Sequence, residues 1–223
     1  MDHHKVYATL NSMLEQPRLQ KVYQSVRDAF EAHGNVGHGW EHVRRVIVNA
    51  AWIGSEENAD LDIVMPAIIL HDIGFVTHPD QPKQHPEHGA AECHRFLDAW
   101  TEEQRVRIAQ CILTHKAAYP GYAGLEPQSL EERVVCDADQ LDKFGWIGVT
   151  QMIKVYVEYG IRGLERYKRH SGIVEGLRHL SKIRLYTETG KRIAAERSEP
   201  AHLVTARRLE EELSLSENWR EAF

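Results

Sequence analysis

Cysteine is scarce: Cys93, Cys111 and Cys136 are the only three in 223 residues, an odd number without CxxC spacing. That excludes a disulfide framework and a thiolate zinc site, and beside apolar neighbours the three read as reduced core residues. The amino terminus has no basic start followed by an apolar stretch, and no run of about 18 apolar residues occurs anywhere. Neither a secretory leader nor a membrane span is expected, and the expected location is the cytoplasm. Positive charge is also short, with 27 Lys and Arg against 33 Asp and Glu, a net charge of -6 and a pI near 6.2. This speaks against a broad footprint for a nucleic acid polymer. Internal repeats, low-complexity tracts and long Pro/Gly/Ser linkers are missing as well, which leaves a single domain over 1–223 as the expectation.

What the chain has in excess is histidine, 14 residues, concentrated in the first half. A histidine alone on a helix is usually a hydrogen-bonded core or surface residue. Three short pieces change that reading when taken together: His42 in the run from Gly37 to Val46, the doublet His71-Asp72, and Asp139 in the run from Asp137 to Asp142. His, His-Asp and Asp form a ligand set mixing borderline nitrogen with hard oxygen donors, suited to a divalent metal. The doublet closes the apolar run Ile63–Leu70, where an uncompensated carboxylate would be costly to bury. No Arg or Lys lies within ten residues of Asp72 on either side, so either a distant basic residue or a metal must compensate it.

The hydrophobic periodicity predicts an all-α fold. Val43, Val46, Ile47, Ala50 and Ala51 give a helix from about Trp40 to Gly54 with His42 near its start. The next helix is expected from about Leu61 to Ile73, with Pro66 in its first turn and Gly74 ending it. Pro79, Pro82 and Pro86 predict a loop from Gly74 to Glu87 along the rim of the site. Helices from Glu87 to Trp100 and from Glu102 to Thr114 should follow, the second carrying His115 at the end of an apolar stripe. Pro120 to Gln128 reads as a loop, and Ser129-Leu-Glu-Glu132 has capping-box spacing for a helix ending near Gly145. Residues 146–223 keep a helical pattern, broken near Gly160, Ser171-Gly172 and Pro200, and are expected to cover the core and the pocket.

The phrases His38-Gly-Trp-Glu-His42-Val, Leu70-His-Asp-Ile-Gly74, the run from Glu131 to Asp142, and the run from Thr189 to Arg197 resemble the HD-domain metal-dependent phosphohydrolases. The resemblance covers about residues 20 to 215, with core motifs at about 20–145, and is nearest to small bacterial HD hydrolases suspected of acting on nucleotides. It implies that His42, His71, Asp72 and Asp139 are the metal ligands, for Mn, Mg, Fe, Co or Ni, and that a small phosphorylated metabolite, a nucleotide or nucleoside triphosphate, is hydrolysed by metal-activated water.

Further roles follow from position and resemblance. Asp142, one turn after Asp139, can orient a ligand or a water, or simply cap a helix end. Glu41 is a candidate proton shuttle, with a solvated position as the plainer alternative. Lys83, Lys116, Lys182, Arg192 and Arg197 are candidate phosphate clamps. Some HD nucleotidases carry an acid three residues after the doublet, where this chain has Phe75. His85 and His115 match two additional histidine motifs of HD proteins holding a second metal, with Asp72 placed to bridge. With one metal only, His85 and His115 would serve substrate phosphate or proton transfer, and His88 loop packing or acid assistance. The six-residue set also opens a mixed-valent di-iron oxygenase of the same fold, acting on an organophosphonate or polyol. A regulatory module with a vestigial metal is a third reading, although no ligand is missing. The oligomeric state is open, a homo-oligomer included.

Overall fold

The computed structural model describes residues 3–34, 38–117, 125–158 and 183–198. Among these residues the secondary structure is helical and no strand occurs. The helices are α1 (His3–Leu14), α2 (Pro17–His33), α3 (Trp40–Glu57), α4 (Leu61–Leu70), α5 (Ile73–Thr77), α6 (His85–Glu92), α7 (Glu102–Thr114), α8 (Leu130–Gln140), α9 (Gly145–Glu158) and α10 (Glu188–Arg197). Short 3-10 turns at Pro82–Gln84, Cys93–Phe96 and Leu141–Lys143 punctuate them.

Helix α4 is the centre of the packing. Every residue from Ile63 to Leu70 is buried, and α2, α3, α7 and α8 surround it. A helix apolar on all sides can only be stable inside such a cage. Its start is fixed by the Asp60 side chain, which accepts the Asp62 amide at 3.1 Å. Pro66 lies deeper in α4 than the expected first turn. Its missing N–H leaves the Asp62 carbonyl without its intrahelical donor, and the Trp100 indole N–H donates to that carbonyl at 3.1 Å.

Both capping-box signals form: Thr101 with Gln104 opens α7, and Ser129 with Glu132 opens α8. The Gly74–Glu87 segment departs from the expected loop. It holds α5, a 3-10 turn and the first residues of α6, because prolines at the start of a helix cost no intrahelical hydrogen bond. Pro82 and Pro86 occupy such starting positions. Gly74 likewise does not end a helix. A Cβ there would stand 2.1 Å from the His85 carbonyl oxygen, so its bare backbone lets α5 and α6 touch and draws His85 toward the doublet. The expected helix from Glu87 to Trp100 starts two residues earlier and ends at Glu92, where a 3-10 turn takes over. The expected breaks at Gly160, Ser171-Gly172 and Pro200, and much of 146–223, lie outside the described residues.

Candidate metal centre

Each candidate ligand sits at or near a helix end. His42 is in the first turn of α3, His71 and Asp72 join α4 to α5, His85 opens α6, His115 follows α7, and Asp139 is in the last turn of α8. Helix ends leave backbone carbonyls without intrahelical donors, and two histidines use them. His71 Nδ1 donates to Ile68 O at 2.8 Å and His115 Nδ1 to Ile112 O at 2.6 Å, while His85 Nδ1 donates to Pro82 O at 2.7 Å. In all three the acceptor is three residues back. His42 differs: its Nδ1 faces Asp142 Oδ2 at 2.7 Å. With an oxygen acceptor at every Nδ1, a proton is held there and each Nε2 is turned inward.

The inward atoms converge on Asp72. Its Oδ2 lies 3.6 Å from His42 Nε2 and 3.3 Å from His71 Nε2. Its Oδ1 lies 3.3 Å from His85 Nε2 and 3.5 Å from His115 Nε2. Within each pair of imidazoles the two Nε2 atoms are 3.3 Å apart. Asp139 adds Oδ1 to the first group, 3.2 Å from His42 Nε2 and 3.9 Å from His71 Nε2.

These residues are all buried. Neither oxygen of Asp72, nor Oδ1 of Asp139, accepts a hydrogen bond. Buried carboxylate oxygens that accept no hydrogen bond and face a ring of imidazole nitrogens call for a cation among them. Metal bonds of about 2.1 Å place neighbouring donors of an octahedral ion about 3 Å apart, close to the spacings here. The residues therefore fit a divalent ion: His42, His71 and Asp72 are grouped closely enough to hold one, and Asp72, His85 and His115 another, while Asp139 Oδ1 reaches the first group through His42 and His71.

The two halves differ electrostatically. Burial pulls the His42 imidazole down, yet the neighbouring carboxylates of Asp139 and Asp142 outweigh this and raise it to about 9. Burial pushes His115 down to about 3, assisted by the charge of Lys116, and lowers His85 as well. Burial alone would raise Asp72, but the charges of His71 and Lys116 hold it well below the usual carboxylate range.

Two residues support the centre without a prior assignment. Arg45 grips Asp142 with two bonds of 2.7 Å, Nε to Oδ1 and Nη2 to Oδ2, and donates to Gln151 Oε1 at 2.9 Å. Lys143 Nζ stands 3.4 Å from Asp139 Oδ2. Spacing carried a signal for both, since Arg45 is three residues after His42 and Lys143 four after Asp139, neighbouring positions on a helix face. Asp142, Arg45 and Arg197 also line a cavity of about 530 Å³ with Phe144 and Trp146.

Of the remaining sequence candidates, Lys116 joins the centre, its Nζ 3.2 Å from Asp139 Oδ2. It is the distant basic residue that sequence proximity to Asp72 did not reveal. Glu41 is exposed and pairs with Arg44 at 3.4 Å. His88 Nε2 meets Gln81 Oε1 at 3.0 Å and its ring stacks on His78. Lys83 is exposed, and Arg192 pairs with Glu56 and Glu196. Arg197 donates to Leu141 O and Asn49 Oδ1. Lys182 lies outside the described residues. Phe75 stacks on His85 at 4.0 Å between centroids, with His38 on its other face at 4.3 Å.

A helical cage that brings His, His-Asp and Asp to one buried point defines the HD domain, and residues 39–143 match that domain in sequence. The chain belongs to the HD-domain family. It is 31% identical over 166 residues to the uncharacterised protein YpgQ of Bacillus subtilis, covering 72% of this chain and 78% of YpgQ. The crystal structure of YpgQ in complex with ADP superposes with a TM-score of 0.64 at 28% identity, over 90% of this chain and 97% of that one. A predicted HD superfamily hydrolase from an uncultured Thermotogales bacterium shares the fold, with a TM-score of 0.65 at 23% identity, over 91% and 98% of the two chains. The chain thus has the HD-superfamily hydrolase fold and a His/Asp cluster that can hold a metal. No described helix is long and apolar enough to cross a membrane.

Proposed function

We propose that this chain is a divalent-metal-dependent phosphohydrolase acting on a small phosphorylated metabolite, with nucleotides the first class to test. The observation that carries the reading is the set of three buried carboxylate oxygens, on Asp72 and Asp139, that accept no hydrogen bond and face inward imidazole nitrogens. The ADP held by YpgQ supports the choice of nucleotide.

His42, His71, Asp72 and Asp139 would hold the ion, and Mn suits their mixed donors. When bound, such an ion supplies Lewis acidity that lowers the pKa of water and offsets charge on the phosphoryl group. Asp142 keeps the His42 ring in place through Nδ1, and Arg45 keeps Asp142 in place. Lys116 is the cation at hand for a substrate phosphate. Glu41 and His88, turned to Arg44 and Gln81, enter no step of this reading.

A second reading, with two metals, is favoured by Asp72, whose two oxygens each face a separate pair of imidazoles. It serves hydrolysis, and it also keeps the di-iron oxygenase as the competing activity. The deciding experiment adds Mn to metal-stripped protein with a panel of nucleotides and simple phosphoesters, beside Asp72→Ala. Turnover lost in the variant supports the phosphohydrolase, and release of phosphate or pyrophosphate identifies the bond. No turnover with Mn, together with oxygen consumption on an organophosphonate or polyol with iron, overturns it. Metal counting on His115→Ala separates the site models: loss of one equivalent and most activity marks two metals, and retention of the single ion marks one.

A further inference from the structure

Four imidazoles face Asp72, and three of them are anchored on firm ground. His71 Nδ1 donates to Ile68 O within α4 and His115 Nδ1 to Ile112 O within α7, while His42 Nδ1 meets Asp142, which Arg45 grips with two bonds. His85 is the exception. Its Nδ1 acceptor, Pro82 O at 2.7 Å, belongs to the three-residue 3-10 turn Pro82–Gln84. Such turns are short and their hydrogen bonds poorer than those of an α-helix, so a bond to one leaves an imidazole able to swing about it. A second restraint is needed to keep Nε2 at 3.3 Å from Asp72 Oδ1.

Phe75 supplies that restraint. Its ring lies on His85 at 4.0 Å between centroids and 17° between planes. The four imidazoles meet one another edge-on or tilted, at 59° to 85°, so among the described residues Phe75 is the one ring that lies flat on a candidate ligand. His38 closes its opposite face at 4.3 Å and 24°. Phe75 and His85 are both buried. The backbone tightens the clamp, since a Cβ at Gly74 would stand 2.1 Å from the His85 carbonyl oxygen and α5 therefore meets α6 without a gap. A flat aromatic face selects the plane of the ring packed on it. Phe75 has neither charge nor polar donor, so it orients His85 without competing for Nε2 or for the Asp72 oxygens.

We propose that Phe75 is a positioning residue for one half of the centre: clamped by His38, it holds the His85 imidazole toward Asp72 Oδ1 and so sets the affinity for a second ion while leaving the first untouched. This rests on the two-metal reading and adds to it a determinant of occupancy outside the ligand set. The first half has its own support. His42 stands 6.4 Å from the His38 ring, at 81°, and is held by Asp142.

The test is Mn titration of the metal-stripped full chain by equilibrium dialysis, with electron paramagnetic resonance to detect coupling between neighbouring ions, for the wild type, Phe75→Met, Phe75→Leu and Phe75→Tyr. The wild type should take up two ions. Phe75→Met and Phe75→Leu, which fill the space without a ring, should weaken the second ion about tenfold, the size expected from losing a stacked pair, while the first shifts less than about threefold. In both, the coupled signal should appear only at correspondingly higher Mn. Phe75→Tyr, which keeps the ring, should stay within about threefold of the wild type for both ions. Wild-type affinity for the second ion in both aliphatic variants overturns the positioning role and leaves the two-metal reading standing. Equal weakening of both ions also overturns it, because Phe75 would then serve packing alone. So does a loss in Phe75→Tyr as large as in Phe75→Met, since the ring would then not be what matters. A single ion in the wild type overturns the two-metal reading and the positioning role together.

Discussion

Asp137 and Asp139 stand two residues apart on α8, both fully buried, and their surroundings are opposite. Asp137 accepts the Thr187 amide and hydroxyl on Oδ2, each at 2.7 Å, and the Tyr186 amide on both oxygens, at 3.0 and 3.1 Å. It ties the start of α10 to α8, a structural task completed within the protein. Asp139 has donors on Oδ2 only, and Asp72 has none on either oxygen. Burial of an acid therefore does not mark a metal ligand. The distinguishing feature is the pattern of hydrogen bonds left unmade in an otherwise well-satisfied interior.

The sharpest way to break this comparison is to remove each carboxylate in turn. Asp72→Ala should lower metal affinity by at least about a thousandfold and abolish turnover, while the metal-free protein still unfolds cooperatively, since no hydrogen bond of the fold depends on the lost oxygens. Equilibrium dialysis and urea unfolding report the two quantities. Asp137→Ala should do the reverse: a loss of about 2–4 kcal/mol in urea unfolding from backbone donors left buried, with metal stoichiometry unchanged. A stable Asp137→Ala that has lost its metal would erase the distinction. Smaller again, Asp142→Asn should keep the fold but weaken metal binding about 10- to 100-fold, the usual cost of losing a partner behind a ligating histidine. Arg45→Met should move the same affinity in the same direction, and no change in either variant would assign the Asp142–Arg45 pair to folding alone.

The helical cage, and the histidines and aspartates that meet inside it, were legible because both rest on local signals: apolar periodicity around α3, α4 and α7, the capping boxes at Thr101 and Ser129, and the acid–imidazole doublet at the end of an apolar run. The sequence misjudged the 74–87 segment because prolines were read as breakers, whereas Pro82 and Pro86 sit at helical starts. It also read Gly74 as a helix stop, when the glycine serves contact with His85, eleven residues away. Such a contact has no periodic trace. The contrast between Asp137 and Asp139 was hidden for the same reason, since the donors that satisfy Asp137 come from residues 186 and 187. Lys116 is 44 residues from Asp72 in sequence, and only the tertiary packing brings its charge to bear on that carboxylate.

The finest contrast is between the two halves of the centre, and protons report it. His42, raised to about 9 from 6.5 by Asp139 and Asp142 against burial, stabilises the metal-free fold fully below pH 6.5 and loses that contribution as pH rises through about 9. His115, lowered to about 3 from 6.5 chiefly by burial, acts in the other direction. The unfolded chain binds its proton first, so stability falls as pH drops below 6.5 toward 3. Metal-free stability should therefore decline on both sides of about pH 6.5 in urea titrations. Metal binding needs a free Nε2, so near pH 7 the first ion should displace about one proton, from His42, and its affinity should rise up to about tenfold per pH unit until about pH 9. A second ion held by His85 and His115 should displace none from them, because both are already neutral. Calorimetry in buffers of different ionisation enthalpy counts the protons. Two or more per first ion, or none, would show that the His42 half is not the charged one.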